Sequence, residues 1–488
     1  MREHALLIVI VLIALGLRLY MIQADPFLHD WDERFHALVA RNMMDRPFYP
    51  VLYKNPVIPF DPSAWCCNQV WLHKQPLFLW QMALSMRIFC VSEWALRLPS
   101  AIMGTLSVLL VYRLSWLLTR EKRAAVIAAL IICCSCYQLG QISGREGMDH
   151  NDVAFCFYVL ASFWAAAEYR EKPVLSRALM IGVFAGAAVL NKWLTGLLVF
   201  LPLGICWLTD LCRRKSMKRI HTGHFFAALI TGILVFLPWQ LYIWHRFPTE
   251  ARIEFDLNTR HLFSVVEGHE GDPGYYLSHF NQYFGDIIEI LVVPALLLFS
   301  ISRRVPSFAK VLLVAPVLFA FCFFSFVVQT KVTGFFFVAY PFVIVMIGLL
   351  LHELLRLVPG ISQPLLYGLL CIALAYWSLN PQRICDQGHT RDREQKIRNA
   401  ALYKSLHRLL PRDINVLCNV DLIDHANVMF YNPRLSAYNF CFNEEEMKSL
   451  VRKKVGVAIL PDRPGYNIPD YVRRYPYVYM VPVSAYTP

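Results

Sequence analysis

Residues 77–91 read LFLWQMALSMRIFCV, an apolar run of fifteen residues on which the topology of the whole chain turns. A helix needs about 20 apolar residues to cross a hydrocarbon core of about 30 Å. This run is short for that, and its length suits an interfacial or re-entrant helix. If it crossed, the basic stretch TREKR at 119–123 would lie on the outer side and every later assignment would reverse.

The rest of the chain explains why that matters. Of its 488 residues, 57% are hydrophobic and only 17% charged, with a mean hydropathy of +0.43, whereas a soluble domain carries roughly 25% charged residues. Longer apolar runs recur from residue 5 to residue 379, so the chain reads as an α-helical polytopic membrane protein. Ala5 to Ile22 is kept as an anchor, because it is long for a signal peptide and no A-x-A-like site follows.

The net charge of +12 is not a nucleic-acid footprint, because the basic residues cluster between apolar runs. The clusters are Arg120, Lys122 and Arg123; Arg170, Lys172 and Arg177; Arg213, Arg214, Lys215, Lys218 and Arg219; and Arg303, Arg304 and Lys310. The positive-inside rule makes these loops cytoplasmic. Eleven spans follow, at about 5–22, 94–118, 123–141, 152–169, 174–190, 194–211, 225–245, 285–302, 308–328, 335–355 and 362–379, with the N-terminus inside. The expected organisation is a transmembrane domain over 1–379, with amphipathic helices in the outer loop 23–93, and a soluble α/β domain over 380–488. Strands are expected near 414–420 and 455–460.

Charged residues left on the outer side, beside helix ends, are candidates for function. HDWDERFHALVARNMM (29–44) crowds Asp30, Asp32 and Glu33 before apolar positions at helical spacing, Phe35, Leu38, Val39 and Met43. Carboxylates at a first turn commonly cap it, but three exceed what a cap requires. WLHKQPLFLW (71–80) sets His73 and Lys74 before a proline, where the bland alternative is a snorkelling lysine. GREGMDHNDVAFCFY (144–158) puts Arg145, Glu146, Asp149, His150 and Asp152 in one short loop, with no spacing diagnostic of a metal site. Lys192 and Lys331 each end a span, where two lysines from separate helices suit one phosphate.

Fourteen cysteines are present. The C-x-x-C of Cys133 and Cys136 lies in an apolar span and reads as packing. Cys66, Cys67, Cys385, Cys418 and Cys441 would face an oxidising compartment, with Cys418–Cys441 one candidate bridge.

Taken in order, Asp32–Glu33, the K-x-P-L stretch of Lys74, Pro76 and Leu77, LRLPSAIMG (96–104), the Asp-bearing second outer loop, L-x-K at 190–192 and LPWQLYI (237–243) form a pattern. It resembles the C-type, polyprenyl-phosphate-dependent glycosyltransferases, in the bacterial branch that includes protein O-mannosyltransferases and the lipid A aminoarabinose transferase. The resemblance covers about residues 1–350. It departs in K-Q-P-L, where K-P-P-L is usual, and in N-K-W, where glycine commonly follows the lysine, so the sugar stays open.

The resemblance implies a helical bundle in a bacterial inner membrane, with its active site and C-terminal domain facing the periplasm. It implies transfer from a polyprenyl-phosphate sugar to a hydroxyl or phosphate on a lipid, glycan or protein acceptor, with inversion and no obligatory metal. Asp32 matches the catalytic aspartate, Asp149 or Asp152 the second-loop aspartate, with spacing favouring Asp149, and Lys74 the lysine near the donor phosphate. Lys192 and Lys331 match basic positions bordering that phosphate. Arg260 and His269 lie where a later outer loop adds donor contacts, as Glu33, His73 and Arg145 would.

A transporter or flippase for a lipid-linked sugar is the rival, since charges in a membrane also mark a substrate path. Here they gather at one face, without an internal repeat. A binding module on a membrane anchor would not need eleven spans.

Overall fold

The structure is a computed structural model and describes every residue except 1, 62, 65, 147–149, 213–218, 359–361, 391, 422, 462–467, 477 and 483–488. The chain divides into two units, one built from Met1–Ile22, Lys74–Phe78 and Arg97–Cys385, the other from Gln23–His73, Leu79–Leu96 and Asp386–Pro488. Gln23–His73 and Leu79–Leu96 are thus grouped with the tail that follows them by about three hundred residues.

Among the described residues, six helices are long and apolar enough to cross a membrane: Glu93–Thr119, Leu175–Leu197, His221–Arg246, Ser307–Val327, Thr333–Arg356 and Gln363–Gly388. Lys122–Cys133 and Cys136–Ser143 make a seventh if counted as one span bent by 41°. The chain is a multi-pass membrane protein, and length and composition alone mark six or seven crossings among the described residues. Phe200–Cys212 has 13 residues and rises about 20 Å at 1.5 Å per residue, short of the hydrocarbon core. His150–Glu171 has 22 residues but carries Asp152 in its first turn and Arg170 in its last. The decisive run forms Pro76–Phe89, 14 residues or about 21 Å, again too short to cross.

In the first unit, small residues let helices approach. A Cβ on Gly182 would stand 2.2 Å from the Ala228 carbonyl oxygen, and one on Gly186 2.5 Å from that of Gly232. Leu175–Lys192 therefore meets Arg219–Arg246 backbone to backbone, the small-xxx-small solution to packing in a medium with no hydrophobic drive between helices.

A buried cation fixes the bent pair. Arg18, fully enclosed, donates to the carbonyls of Ile132 and Cys133 at 3.1 Å each and to Gln138 Oε1 at 2.6 Å. Breaking a helix frees carbonyls that no water reaches in a membrane, and a guanidinium can answer several at once. Ser135 starts the next helix by accepting from the Gln138 N–H.

The second unit contains a four-stranded sheet in the order β2-β1-β3-β4: β1 Ile414–Cys418, β2 Ser436–Ala437, β3 Gly456–Ile459 and β4 Val478–Met480. Every pairing is parallel, with Val416 opposite Ser436 and Leu417 opposite Ala458. Parallel neighbours need crossovers, supplied here by Asp424–Tyr431 and Glu444–Arg452 among others. β1 and β3 coincide with the apolar runs noted in the sequence. Cys418 and Cys441 are both free thiols.

The same unit holds the helix Asp32–Met43, whose apolar positions Phe35, Leu38, Val39 and Met43 are buried, as are Arg34, His36 and Asn42. It packs beside Asp424–Tyr431, with the Phe35 ring 5.9 Å from His425 and the Arg41 guanidinium 5.7 Å from the Phe430 ring centre. Trp31, at its N-cap, has φ of 63° and makes no side-chain cap bond. A left-handed backbone on a bulky residue costs of order 1–3 kcal/mol and persists only where its surroundings hold it.

Candidate functional site

Asp32 opens that helix half-buried. Glu33 is buried and its Oε2 accepts from the His29 backbone N–H at 2.6 Å, so it ties down the preceding turn. Asp30 does not cap the helix; it pairs with Arg34 and, at 2.8 Å, with Lys396. His73 is half-buried with its ring 5.7 Å from Trp71. These candidates all belong to the second unit.

The first unit holds the others. Lys74 is half-buried. Its neighbour Gln75 is 3% exposed and accepts a 2.8 Å bond from Gln240 Nε2, which joins the K-Q-P-L stretch to LPWQLYI. Lys192 ends Leu175–Lys192 and donates to Asp152 Oδ1 in the first turn of His150–Glu171. The Lys192 ammonium also lies 5.3 Å from the centre of the Phe335 ring. A cation shared by a carboxylate and an aromatic face is held in place while keeping a side for a further anion.

Arg145 and Glu146 both bond to residues near the end of the first unit. Arg145 donates to the Ile384 carbonyl at 3.2 Å, and Glu146 pairs with Arg383. Asp149 lies outside the described residues.

Lys331 has a different occupation. Its ammonium donates to the carbonyls of Phe324 at 2.8 Å, Ser325 at 2.9 Å and Val328, around the π-helical turn Phe323–Val327. An ammonium has three donors, and all three are spent on main chain. Burial pulls its pKa below the ordinary 10.5. Arg260 and His269 are exposed. Arg260 lies in the last turn of the helix Pro248–Phe263 and His269 follows it, and this segment is stitched to 330–331 by backbone, through Lys331 N–H to His269 carbonyl at 3.0 Å and Thr330 N–H to His261 carbonyl at 3.2 Å. Among the described residues no group of three or more His, Cys, Asp or Glu side chains is placed to hold a metal ion.

The structure therefore brings together Lys192 with Asp152, and Lys331 with His269 through backbone alone. Sequence reasoning missed Phe335, Gln75, Gln240 and Arg383. Gln75 had a signal, as the departure inside K-Q-P-L, and Gln240 lay in the quoted LPWQLYI stretch.

Residues 73–243 match the sequence profile described as dolichyl-phosphate-mannose-protein mannosyltransferase. The undecaprenyl phosphate-alpha-4-amino-4-deoxy-L-arabinose arabinosyl transferase of Pseudomonas aeruginosa (strain LESB58) is 30% identical over 172 residues, which are 34% of this chain and 29% of that relative. The match thus spans less than a third of the curated relative's length. The likeness in three dimensions is broader. ArnT from Cupriavidus metallidurans, in its crystal structure bound to undecaprenyl phosphate, superposes with a TM-score of 0.67 at 14% identity, over 92% of this chain and 88% of that one.

The chain shares the fold of that structure. A second structure, the archaeal oligosaccharyltransferase AglB from Archaeoglobus fulgidus in complex with an inhibitory peptide and a dolichol-phosphate, gives a TM-score of 0.55 at 13% identity, over 89% of this chain and 64% of that one. The profile match takes in His73, Lys74, Arg145, Asp152 and Lys192, and it starts after Asp32 and ends before Arg260 and Lys331.

Proposed function

We propose that this protein transfers a sugar from a polyprenyl-phosphate donor to an acceptor hydroxyl or phosphate on the periplasmic face of a bacterial inner membrane. One observation carries the reading. Lys192, held by Asp152 and Phe335, presents a positioned cation within residues 73–243, the segment that matches the dolichyl-phosphate-mannose-protein mannosyltransferase profile.

In this reading the acceptor oxygen attacks the anomeric carbon as the bond from that carbon to the donor phosphate oxygen breaks. The configuration inverts, and the polyprenyl monophosphate leaves with the bonding electrons. Asp32 takes the acceptor proton, Asp149 supports it, and Lys74 and Lys192 stabilise the charge that grows on the leaving phosphate. Glu33, His73, Arg145, Arg260 and His269 are contacts to donor or acceptor. Lys331 is left out of the phosphate set, because its three donors already serve carbonyls. Eleven crossings with the tail outside, and a soluble domain from residue 380, complete the reading on charge pattern alone.

Replacing Asp32 by Asn tests it. The purified, folded variant should lose turnover of undecaprenyl-phosphate sugar by about 10²- to 10⁴-fold, the usual worth of a positioned base. Normal turnover would sink the assignment of Asp32. Sugar movement across proteoliposomes without bond transfer would sink the enzyme.

A further inference from the structure

The tail helix Arg393–Leu409 carries basic residues at 393, 396 and 404, spacings that put them along one helical face. That face is not a solvated charge run. Arg393 Nη2 donates to the Ala24 carbonyl at 2.9 Å and Nε to Asp25 Oδ1 at 3.0 Å. Lys396 meets Asp30 Oδ2 at 2.8 Å and its own-helix neighbour Asp392 at 2.6 Å. Lys404 donates to the Pro26 carbonyl at 2.8 Å and pairs with Glu93 at 2.7 Å.

A second hold follows Asp32. Arg34 Nη1 meets Asp424 Oδ1 at 2.6 Å, and Tyr403 donates to Asp424 Oδ2 at 2.6 Å. The tail therefore grips residues on both sides of Asp32, at Asp30 and Arg34, and between them stands Trp31 with its left-handed backbone. Asp25 is buried, with its second oxygen 3.3 Å from His29 Nε2. Burial works against the Lys396 charge, yet bonds to Asp30 and Asp392 outweigh it and raise the Lys396 pKa.

We propose that Arg393 and Lys396 are positioning residues for the transfer reaction, bracing the strained turn that aims Asp32. This rests on the reading of Asp32 as the base. The tail then serves the chemistry without touching substrate, because it fixes the direction of a carboxylate whose misplacement by about 1 Å costs on the order of a hundredfold in rate.

The test compares full-length Arg393→Ala/Lys396→Ala, Lys396→Arg, Lys396→Asp and the charge swap Asp30→Lys/Lys396→Asp with the wild type, using undecaprenyl-phosphate sugar as donor. Hydrogen exchange of residues 23–31 and of the sheet is followed on the same samples. The double alanine variant should lose about tenfold or more in kcat with donor KM within about twofold. Exchange should speed in 23–31 while the sheet stays protected. Lys396→Arg should keep kcat, and the charge swap should recover most of it relative to Lys396→Asp alone. Unchanged kcat with unchanged protection overturns the brace, as does a loss carried by KM. Should the double variant fail to fold, Lys396→Met, which keeps the Arg393 contacts, decides on the same readouts. Active Asp32→Asn would defeat the assigned base while the exchange data still judge the brace.

Discussion

Lys192 donates to Asp152 from the end of one helix to the start of another, with 21% of the lysine side chain exposed and only 4% of the carboxylate. The buried member of such a pair decides its energetics, because removing its partner strands an uncompensated charge. Lys192→Met should therefore destabilise the protein by about 3 kcal/mol, and Lys192→Met/Asp152→Asn by clearly less. Thermal unfolding in nanodiscs, arranged as a double-mutant cycle, measures the difference. In turnover assays Asp152→Asn should raise donor KM several-fold, because the ammonium loses its anchor.

Arg18 and Gly104 form a second coupled pair. A Cβ at position 104 would stand 2.8 Å from Arg18 Nε and 2.6 Å from Ile142 Cδ1, so the glycine leaves the room that the guanidinium fills. Arg18→Met would orphan the Ile132 and Cys133 carbonyls, at about 1–3 kcal/mol each. Gly104→Ala should lower the melting temperature by displacing the same group. The two losses should fall short of adding, since both act through one contact. Strict additivity would separate them.

How much of this was legible follows from the range of the forces involved. Hydropathy is local, so helices, the short run at 77–91 and strands β1 and β3 could be read directly. Length alone marks fewer crossings than the charge pattern does, because helices such as Phe200–Cys212 are shorter than their apolar surroundings suggest. Asp32 stood out as one of three crowded acids, yet the bonds of Arg393 to Asp25 and of Lys396 to Asp30 before it join residues more than 360 positions apart, and RDREQKIR read only as a polar stretch. Lys331 looked like Lys192 in sequence. What separates them is the set of carbonyls freed by a π-helical turn, and nothing in one dimension records that turn.

That contrast makes a prediction of its own. Lys331→Met should lower stability by removing a charged donor from three carbonyls, each such bond being worth about 1.5–3 kcal/mol before relaxation. Folded Lys331→Met should keep the wild-type donor KM, whereas Lys192→Met should not. Parallel melting and donor titration of the two variants make the comparison. A large rise in donor KM for Lys331→Met, without a drop in melting temperature, would return this lysine to the phosphate.

The pair Gln75–Gln240 bears on Lys74, because Gln75 is its next residue and is bonded away from solvent. Gln240→Leu would leave the Gln75 amide buried and unpartnered, a cost of about 1–3 kcal/mol that a shift of the Lys74–Pro76 backbone could relieve. Either response should show. The melting temperature falls if the backbone stays, and donor KM rises with little change in kcat if it moves. Gln75→Pro/Gln240→Leu should do less harm than Gln240→Leu alone, because proline brings no amide to satisfy, provided the backbone at 75 accepts its φ. If Gln240→Leu leaves both stability and donor KM at wild-type values, the amide bond has no part in holding Lys74.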